Sequence, residues 1–337
     1  MHIVLTGAAG FIGSHTSEAL VAAGHRVTGI DAFDSYLYPA ASKRQNAAAL
    51  ARLPADRFRL VEADIGDEAA MEPIVGAADV DVVCHLAALA GVRPSIAEPL
   101  RYVRANLHGT TVLLEAMRRG ACRKMVFASS SSVYGARGGA DLRQVAAFRE
   151  DDPCLQPASP YAATKRAGEL LCSTYSDLYG IGASCLRFFT VYGPRQRPDM
   201  AIHKFVRAID AGQPIAFFGD GESRRDYTFV ADIVRGVVAA CERIEPGQHR
   251  IYNLGGTSTT SLADLVAVIE RVVGKPATLD RQPDQPGDVP ITFADITNAA
   301  RDLGYAPTTR IEDGVRAFWR WFQGGSADGE RLGRPIA

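Results

Sequence analysis

Along the first half of the chain, short runs of β-branched and other apolar residues at 2–6, 26–30, 58–63, 81–85, 124–128 and 183–187 alternate with amphipathic stretches. Such runs read as buried strands and the stretches between them as helices, so the pattern predicts βαβ units and an α/β fold with a doubly wound parallel sheet. Two of the helices are long, 100–119 and 161–179, and another opens at residue 11 and runs through Leu20. Residues 135–160, rich in Gly, Asp, Gln and Pro and without a sustained period, predict a surface loop leading to the helix at Tyr161.

After Arg187 the pattern changes. Loop motifs, Tyr192-Gly193-Pro194, Phe218-Gly219-Asp220-Gly221 and Gln285-Pro286-Gly287-Asp288, separate helices predicted over 201–211, 230–242 and 261–273. The expected organisation is a first domain over 1–187, with a returning segment near 226–252, and a smaller α/β substrate-binding domain over 188–325 that closes on the carboxyl edge of the sheet. There is no internal repeat, and the Gly- and Asp-rich tail after Gln323 is expected to fray.

Composition narrows the function classes. The 337 residues are 47% hydrophobic and 22% charged, with a formal net charge of -1 and no basic run, which excludes the electrostatic footprint of a nucleic-acid or membrane-surface binder. No apolar stretch reaches the roughly 18 residues of a membrane span, and the first residues lack the basic flank and length of a signal peptide. Cys84, Cys122, Cys154, Cys172, Cys185 and Cys241 are scattered without metal-ligand or disulfide-framework spacing. No metal site is therefore expected, and the thiols read as reduced core groups of a cytoplasmic protein.

Gly7-Ala8-Ala9-Gly10-Phe11-Ile12-Gly13 follows the first predicted strand and opens the first helix. Glycines permit the tight turn and close backbone approach, and the first amides of the helix can hold a pyrophosphate, so the turn predicts a Rossmann-type dinucleotide site. Asp31, at the end of strand two, can accept hydrogen bonds from the adenosine ribose and repels a 2′-phosphate, which favours NAD over NADP. Asp64-Ile65, after strand three, reads equally as an adenine contact or a helix cap. Leu86-Ala87-Ala88, after strand four, places small side chains where a cofactor can pass, and Asn106 is a further expected cofactor contact.

Tyr161 and Lys165 lie four apart at the start of a helix and share one face. A nearby ammonium favours phenolate over phenol, whose ordinary pKa is about 10. By itself such a pair is commonly a solvated helix face. Its company gives it weight: Ser129-Ser130-Ser131-Ser132-Val133-Tyr134-Gly135 follows strand five, at the sheet edge where ligands of such folds bind. A serine there can bond a substrate hydroxyl whose proton passes to Tyr161.

This constellation resembles the extended short-chain dehydrogenase/reductase family, with its G-x-x-G-x-x-G turn and its Ser/Thr and Tyr-x-x-x-Lys set. The resemblance implies Ser130, three residues before the valine of Val133-Tyr134-Gly135, as the catalytic hydroxyl, with Ser129 and Ser131 as weaker alternatives. Ala90-Gly91-Val92-Arg93-Pro94-Ser95, Arg187-Phe188-Phe189-Thr190-Val191-Tyr192-Gly193-Pro194 and Gln285-Pro286-Gly287-Asp288-Val289-Pro290 narrow it to nucleotide-sugar 4-epimerases, closest to the UDP-glucuronate 4-epimerase group. The implied reaction is a round trip: hydride leaves C4 for NAD, the 4-keto sugar turns, and hydride returns to the opposite face. UDP-glucose, its galactose epimer and UDP-N-acetylhexosamines are the alternative substrates. A related dehydratase carries Asp-Glu after its catalytic threonine, and a related decarboxylase carries Glu before Val-Tyr-Gly; this chain has Ser131 and Ser132 there.

The resemblance also implies substrate contacts. Arg225 is expected at the diphosphate, Asp288 at the uridine ribose, and Lys204, Phe205 and Phe217 around the uracil. Arg93, Ser95 and Thr190 are candidates for the sugar C6 group, with Arg93 equally readable as a structural arginine. Pro94 and Arg195-Gln196-Arg197 depart from the glucuronate group's usual aromatic residue and Trp-Gly-Arg. In the family the two long helices pair with their symmetry mates, which implies a homodimer.

Overall fold

The structure, a computed structural model, describes residues 1–135, 146–283 and 291–327. Its first six strands are β1 (His2–Thr6), β2 (Arg26–Asp31), β3 (Phe58–Glu62), β4 (Val82–His85), β5 (Lys124–Ser130) and β6 (Gly182–Phe188). Beyond them come β7 (Thr190–Tyr192), β8 (Ile215–Phe218), β9 (Arg224–Arg225), β10 (Tyr227–Phe229), β11 (His249–Leu254), β12 (Thr260–Ser261) and β13 (Leu279–Gln282). The main sheet has the order β11-β6-β5-β4-β1-β2-β3, with every neighbouring pair parallel. Both faces are covered by helices, so β1 and β4 are buried along their whole length, as unbroken apolar runs require.

The helices are α1 (Phe11–Ala22), α2 (Ala40–Leu50), α3 (Glu68–Val75), α4 (Val92–Ala97), α5 (Pro99–Tyr102), α6 (Gly109–Arg119), α7 (Pro160–Tyr179), α8 (Ala201–Asp210), α9 (Val230–Arg243), α10 (Leu262–Val273), α11 (Thr297–Leu303) and α12 (Ile311–Ala327). One core unites α1 and α9 with α8, α10 and α12 through Leu20, Val237, Ile209, Leu265 and Phe318. The other lies on the opposite face, where Met71 of α3, Leu113 of α6 and Cys172 of α7 meet β4 and β5. The chain leaves β1 toward β2 and β3 on one side, and β4 opens the run to β5, β6 and β11 on the other. That reversal leaves a crevice beyond the carboxyl ends of β1 and β4, where ligands of such sheets bind.

Four local expectations are corrected. The helix expected over 100–119 begins at Pro99 and contains a π turn at Val103–His108, so α5 and α6 are two parts of a distorted rod. Of the stretch 135–160, residues 136–145 lie outside the described residues, and the rest is not simply a surface loop: Phe148 is buried, bridges to Ala294 and stacks on Tyr134 at 4.6 Å, and Cys154 is buried beside it. Strand β5 continues to Ser130, so the first two serines of the run belong to the strand. Helix α12, whose apolar face packs on α10, continues past Gln323 to Ala327, and the rest of the tail expected to fray lies outside the described residues. All six cysteines are buried and free.

Candidate active site

A cavity of about 980 Å³ fills the crevice at the β1/β4 reversal. Gly7, Gly10, Phe11, Ile12 and Gly13 form one wall. Gly7 has φ 72°, and a Cβ there would stand 2.8 Å from the Ala87 nitrogen. A Cβ on Gly13 would stand 1.9 Å from the Gly7 carbonyl oxygen. Only glycine lets the turn, α1 and the Leu86–Ala88 segment come this close. The free amides of the first turn of α1 thus reach the cavity wall, an arrangement suited to a diphosphate.

Asp31, at the end of β2, accepts hydrogen bonds from Ala9 N at 3.0 Å and Phe33 N at 2.8 Å, which fixes its carboxylate at the cavity edge. Asp64 and Ile65 line the same end, with Asp64 accepting from Gly66 N, and Leu86, Ala87 and Ala88 line the floor. Asn106 is elsewhere. Its side chain accepts from Leu89 N at 2.8 Å and donates to Leu89 O and Thr164 Oγ1, so the π turn uses it to hold the segment after β4. It is not part of the cavity wall.

Ser130, Tyr161, Lys165 and Thr190 come together at the other end. Helix α7 starts where Ser159 caps Ala162 N and Pro160 takes the first turn, which places Tyr161 at the sheet edge. Burial pushes the Tyr161 phenol above its ordinary pKa, and a hydrogen bond with Ser130 pulls it back, as does the charge of Arg197. Lys165 donates to Ala128 O at 2.7 Å rather than to the phenol, and burial lowers its ammonium to about 7. The phenolate-favouring effect expected of Lys165 is therefore outweighed by desolvation in this geometry. Ser129 is committed elsewhere, its hydroxyl donating to Glu169 at 2.6 Å.

Several expected substrate contacts lie off the cavity wall. Ser95 is fully buried and donates to Val92 O at 2.6 Å, closing the first turn of its own helix. Arg93 reaches toward β8, its guanidinium 5.6 Å from the Phe218 ring. Phe205 is buried with Ile202, Val206 and Ile209, the core face that the 3.6-residue period of α8 dictates, and Phe217 alternates inward with Ile215 on β8. Lys204 lies on α8, and Arg225 of β9 donates to Arg224 O at 2.9 Å. Asp288 is outside the described residues.

Sequence reasoning missed four cations at the cavity, Lys43, Arg101, Arg104 and Arg197. Arg197 lines it beside Tyr161 and Tyr38, held by two hydrogen bonds to Asp199 at 2.9 and 2.6 Å. Its signal was present in the Arg195-Gln196-Arg197 segment, which reads only as a departure until the turn is seen to point into the site. Lys43 lines the cavity near Asp31, from a polar helix that carries no distinguishing pattern. The acids on the wall, Asp31, Asp34, Asp64 and Asp67, all belong to the β2 and β3 side, whereas Ser131 and Ser132 flank Ser130. Among the described residues no group of side chains has metal-ligand geometry, and no helix is long and apolar enough to cross a membrane.

A glycine-turn crevice on a doubly wound sheet, with Ser, Tyr and Lys at the end of β5 and the start of the following long helix, defines a dinucleotide-dependent enzyme class. The chain belongs to the NAD dependent epimerase/dehydratase family, whose model matches residues 3–255. It is 41% identical over 337 residues to UDP-glucuronate 4-epimerase 4 of Arabidopsis thaliana, covering 95% of this chain and 75% of that protein. Among solved structures, UDP-glucuronic acid 4-epimerase of Bacillus cereus in complex with UDP-glucuronic acid and NAD matches with a TM-score of 0.87 and 39% identity, over 96% of this chain and 99% of that one. UDP-glucose 4-epimerase of Thermotoga maritima with UDP-glucose matches with a TM-score of 0.85 and 31% identity, over 97% and 100%.

Proposed function

We propose that this protein is an NAD-dependent UDP-sugar 4-epimerase that interconverts UDP-glucuronate and UDP-galacturonate. The carrying observation is the meeting of Ser130, Tyr161 and Lys165 at a cavity end where no described residue on the wall is a carboxylate. The Gly7 and Gly13 contacts fit a dinucleotide backbone, since any Cβ there would collide with main-chain atoms. NAD, when bound, supplies the hydride acceptor and donor.

The protein's share of the chemistry is proton handling and orientation. Ser130 holds the C4 hydroxyl, and Tyr161, reacting as the phenolate that the Ser130 hydrogen bond and the Arg197 charge favour, takes its proton as the C4–H bonding pair leaves as hydride, leaving a C=O at C4. Return of hydride to the opposite face, with Tyr161 giving the proton back, completes the inversion. Removing a C5 proton and the 6-hydroxyl requires a further acid and base, and Ser131 and Ser132 supply neither. Arg197 and Thr190 stand on the wall at this end, a cation and a hydroxyl suited to the sugar's C6 carboxylate. Arg225, Lys204 and Asp288 remain assigned to the nucleotide side, and Arg93 remains a candidate for the sugar C6 group.

We divide the chain into an NAD-binding domain over 1–187, rejoined by 226–252, and a sugar-nucleotide domain over 188–325. Exposed Ile96, Leu100, Val103, Leu170 and Leu178 on α4, α5, the π turn and α7 support a homodimer through these helices. The free buried thiols support a cytoplasmic location. The test is product analysis after incubation with UDP-glucuronate, UDP-glucose and UDP-N-acetylglucosamine without added NAD. UDP-galacturonate is the expected product, and absence of any C4 epimer would refute the reading.

A further inference from the structure

Beneath the active site lies a buried charged group that the proton transfers do not use. Glu169 of α7 and Arg187 of β6 are both essentially without solvent contact. Glu169 Oε1 accepts from Ser129 Oγ at 2.6 Å and Arg187 Nε at 2.8 Å, while Oε2 accepts from Arg187 Nη2 and Arg166 Nη1, both at 2.9 Å. Such a pair carries a heavy desolvation cost and is a weak source of stability compared with well-packed apolar residues. Its position suggests another use.

Residues 161, 165 and 169 form one face of α7, and each engages one of three consecutive residues at the end of β5. Tyr161 bonds Ser130, Lys165 bonds Ala128 O, and Glu169 bonds Ser129. Glu169 is the member of this ladder that is also tied to a third element, through Arg187 of β6. It is also an anion one helical turn from an ammonium, in a neighbourhood that holds the further cations Arg166 and Arg187.

We propose that Glu169 is a positioning residue of the active site: its carboxylate, shared by Ser129, Arg187 and Arg166, sets Ser130 against the Tyr161 face of α7 and provides the counter-charge to the Lys165 ammonium. The proposal rests on the epimerase reading above and extends it to a residue outside the cavity wall. Although burial pushes its carboxyl upward, hydrogen bonds from Arg187, Ser129 and Arg166 hold Glu169 below the usual carboxylate range, so it carries its charge at neutral pH. Lys165 is otherwise faced by His85 of β4, which burial keeps neutral, and by the Cys172 thiol. The remaining titratable groups that feel Glu169 are Cys154, Cys185 of β6 and His249 of β11. None of them replaces the carboxylate.

The test uses full-length Glu169→Gln and Ser129→Ala variants, steady-state kinetics with UDP-glucuronate over a pH series, and ¹³C NMR of the lysine ε-carbons, with Lys165 assigned by difference. Loss of the counter-charge in Glu169→Gln should lower the Lys165 midpoint by about one pH unit or more and move the pH dependence of kcat in the same direction. Ser129→Ala keeps the charge, so it should leave the Lys165 midpoint in place while lowering kcat about three- to tenfold at unchanged KM. A folded Glu169→Gln variant with the wild-type Lys165 midpoint would overturn the proposal, as would Ser129→Ala with wild-type kcat. If Glu169→Gln fails to fold, the Ser129→Ala result decides. A wild-type protein that epimerises no UDP-hexose refutes the epimerase reading instead, and the lysine titration still reports on Glu169.

Discussion

The Lys165 ammonium donates to the Ala128 carbonyl at 2.7 Å in a site where burial lowers its pKa from 10.5 to about 7. Between those values the unfolded chain holds one proton more than the fold, so this group's contribution to stability rises with pH across that window. Below about pH 7 both states hold the proton and the burial cost is fully present. Lys165→Met should therefore have its most favourable melting temperature relative to wild type near about pH 6, and lose that advantage by about pH 9. Calorimetry showing a pH-independent difference would contradict this.

Tyr161→Phe keeps the ring packed edge-on against Tyr102, at 6.2 Å between centroids, and removes only the oxygen. Turnover should fall by about 10²- to 10⁴-fold, with NAD still bound after gel filtration. Ultraviolet absorbance of the purified variant measures the retained cofactor. Wild-type turnover would remove Tyr161 from the proton path.

Gly13→Ala places a methyl 1.9 Å from the Gly7 carbonyl, where backbone rather than a flexible side chain must move. The expected cost is about 1–3 kcal/mol of stability together with loss of dinucleotide affinity, because α1 must shift off the turn. Denaturant unfolding and NAD titration by calorimetry check the two parts separately.

His15 and His85 are buried neutral, lowered by burial to about 4 and about 3. The unfolded chain takes up these protons as pH falls through about 6.5, so the fold loses stability toward pH 4. Asp226, raised by burial to about 6, opposes this in part, since between about 6 and 3.8 the fold holds the extra proton. His85→Gln should flatten the acid limb of the unfolding midpoint. An unchanged limb would show that His85 does not contribute to it.

Arg197→Ala should raise KM for UDP-glucuronate by about tenfold or more, the value of a charge-assisted contact, and change KM for UDP-glucose little. Equal changes for both sugars would place Arg197 away from the C6 group.

Much of this architecture was written locally. Strands β1 to β6 follow from short apolar runs, the dinucleotide turn from glycines between a strand and a helix, and the Tyr161–Lys165 face from a spacing of four, all short-range properties of backbone geometry and periodicity. What the sequence left open, tertiary packing decided. Ser129 and Ser130 are chemically identical and adjacent on the cavity wall, and only the approach of Glu169, 40 residues along the chain, ties up the Ser129 hydroxyl. Phe148 lies in a segment without a period and is buried because Tyr134 and Ala294 arrive from elsewhere. Phe205 and Phe217 turn inward because their helix and strand need a core face, and Arg197 turns toward the cavity because Asp199 clamps it there. The Tyr161–Lys165 pair itself was legible, yet its electrostatics were not: spacing brings an ammonium near a phenol, but the balance between that charge and desolvation depends on burial that only the assembled sheet and helices create.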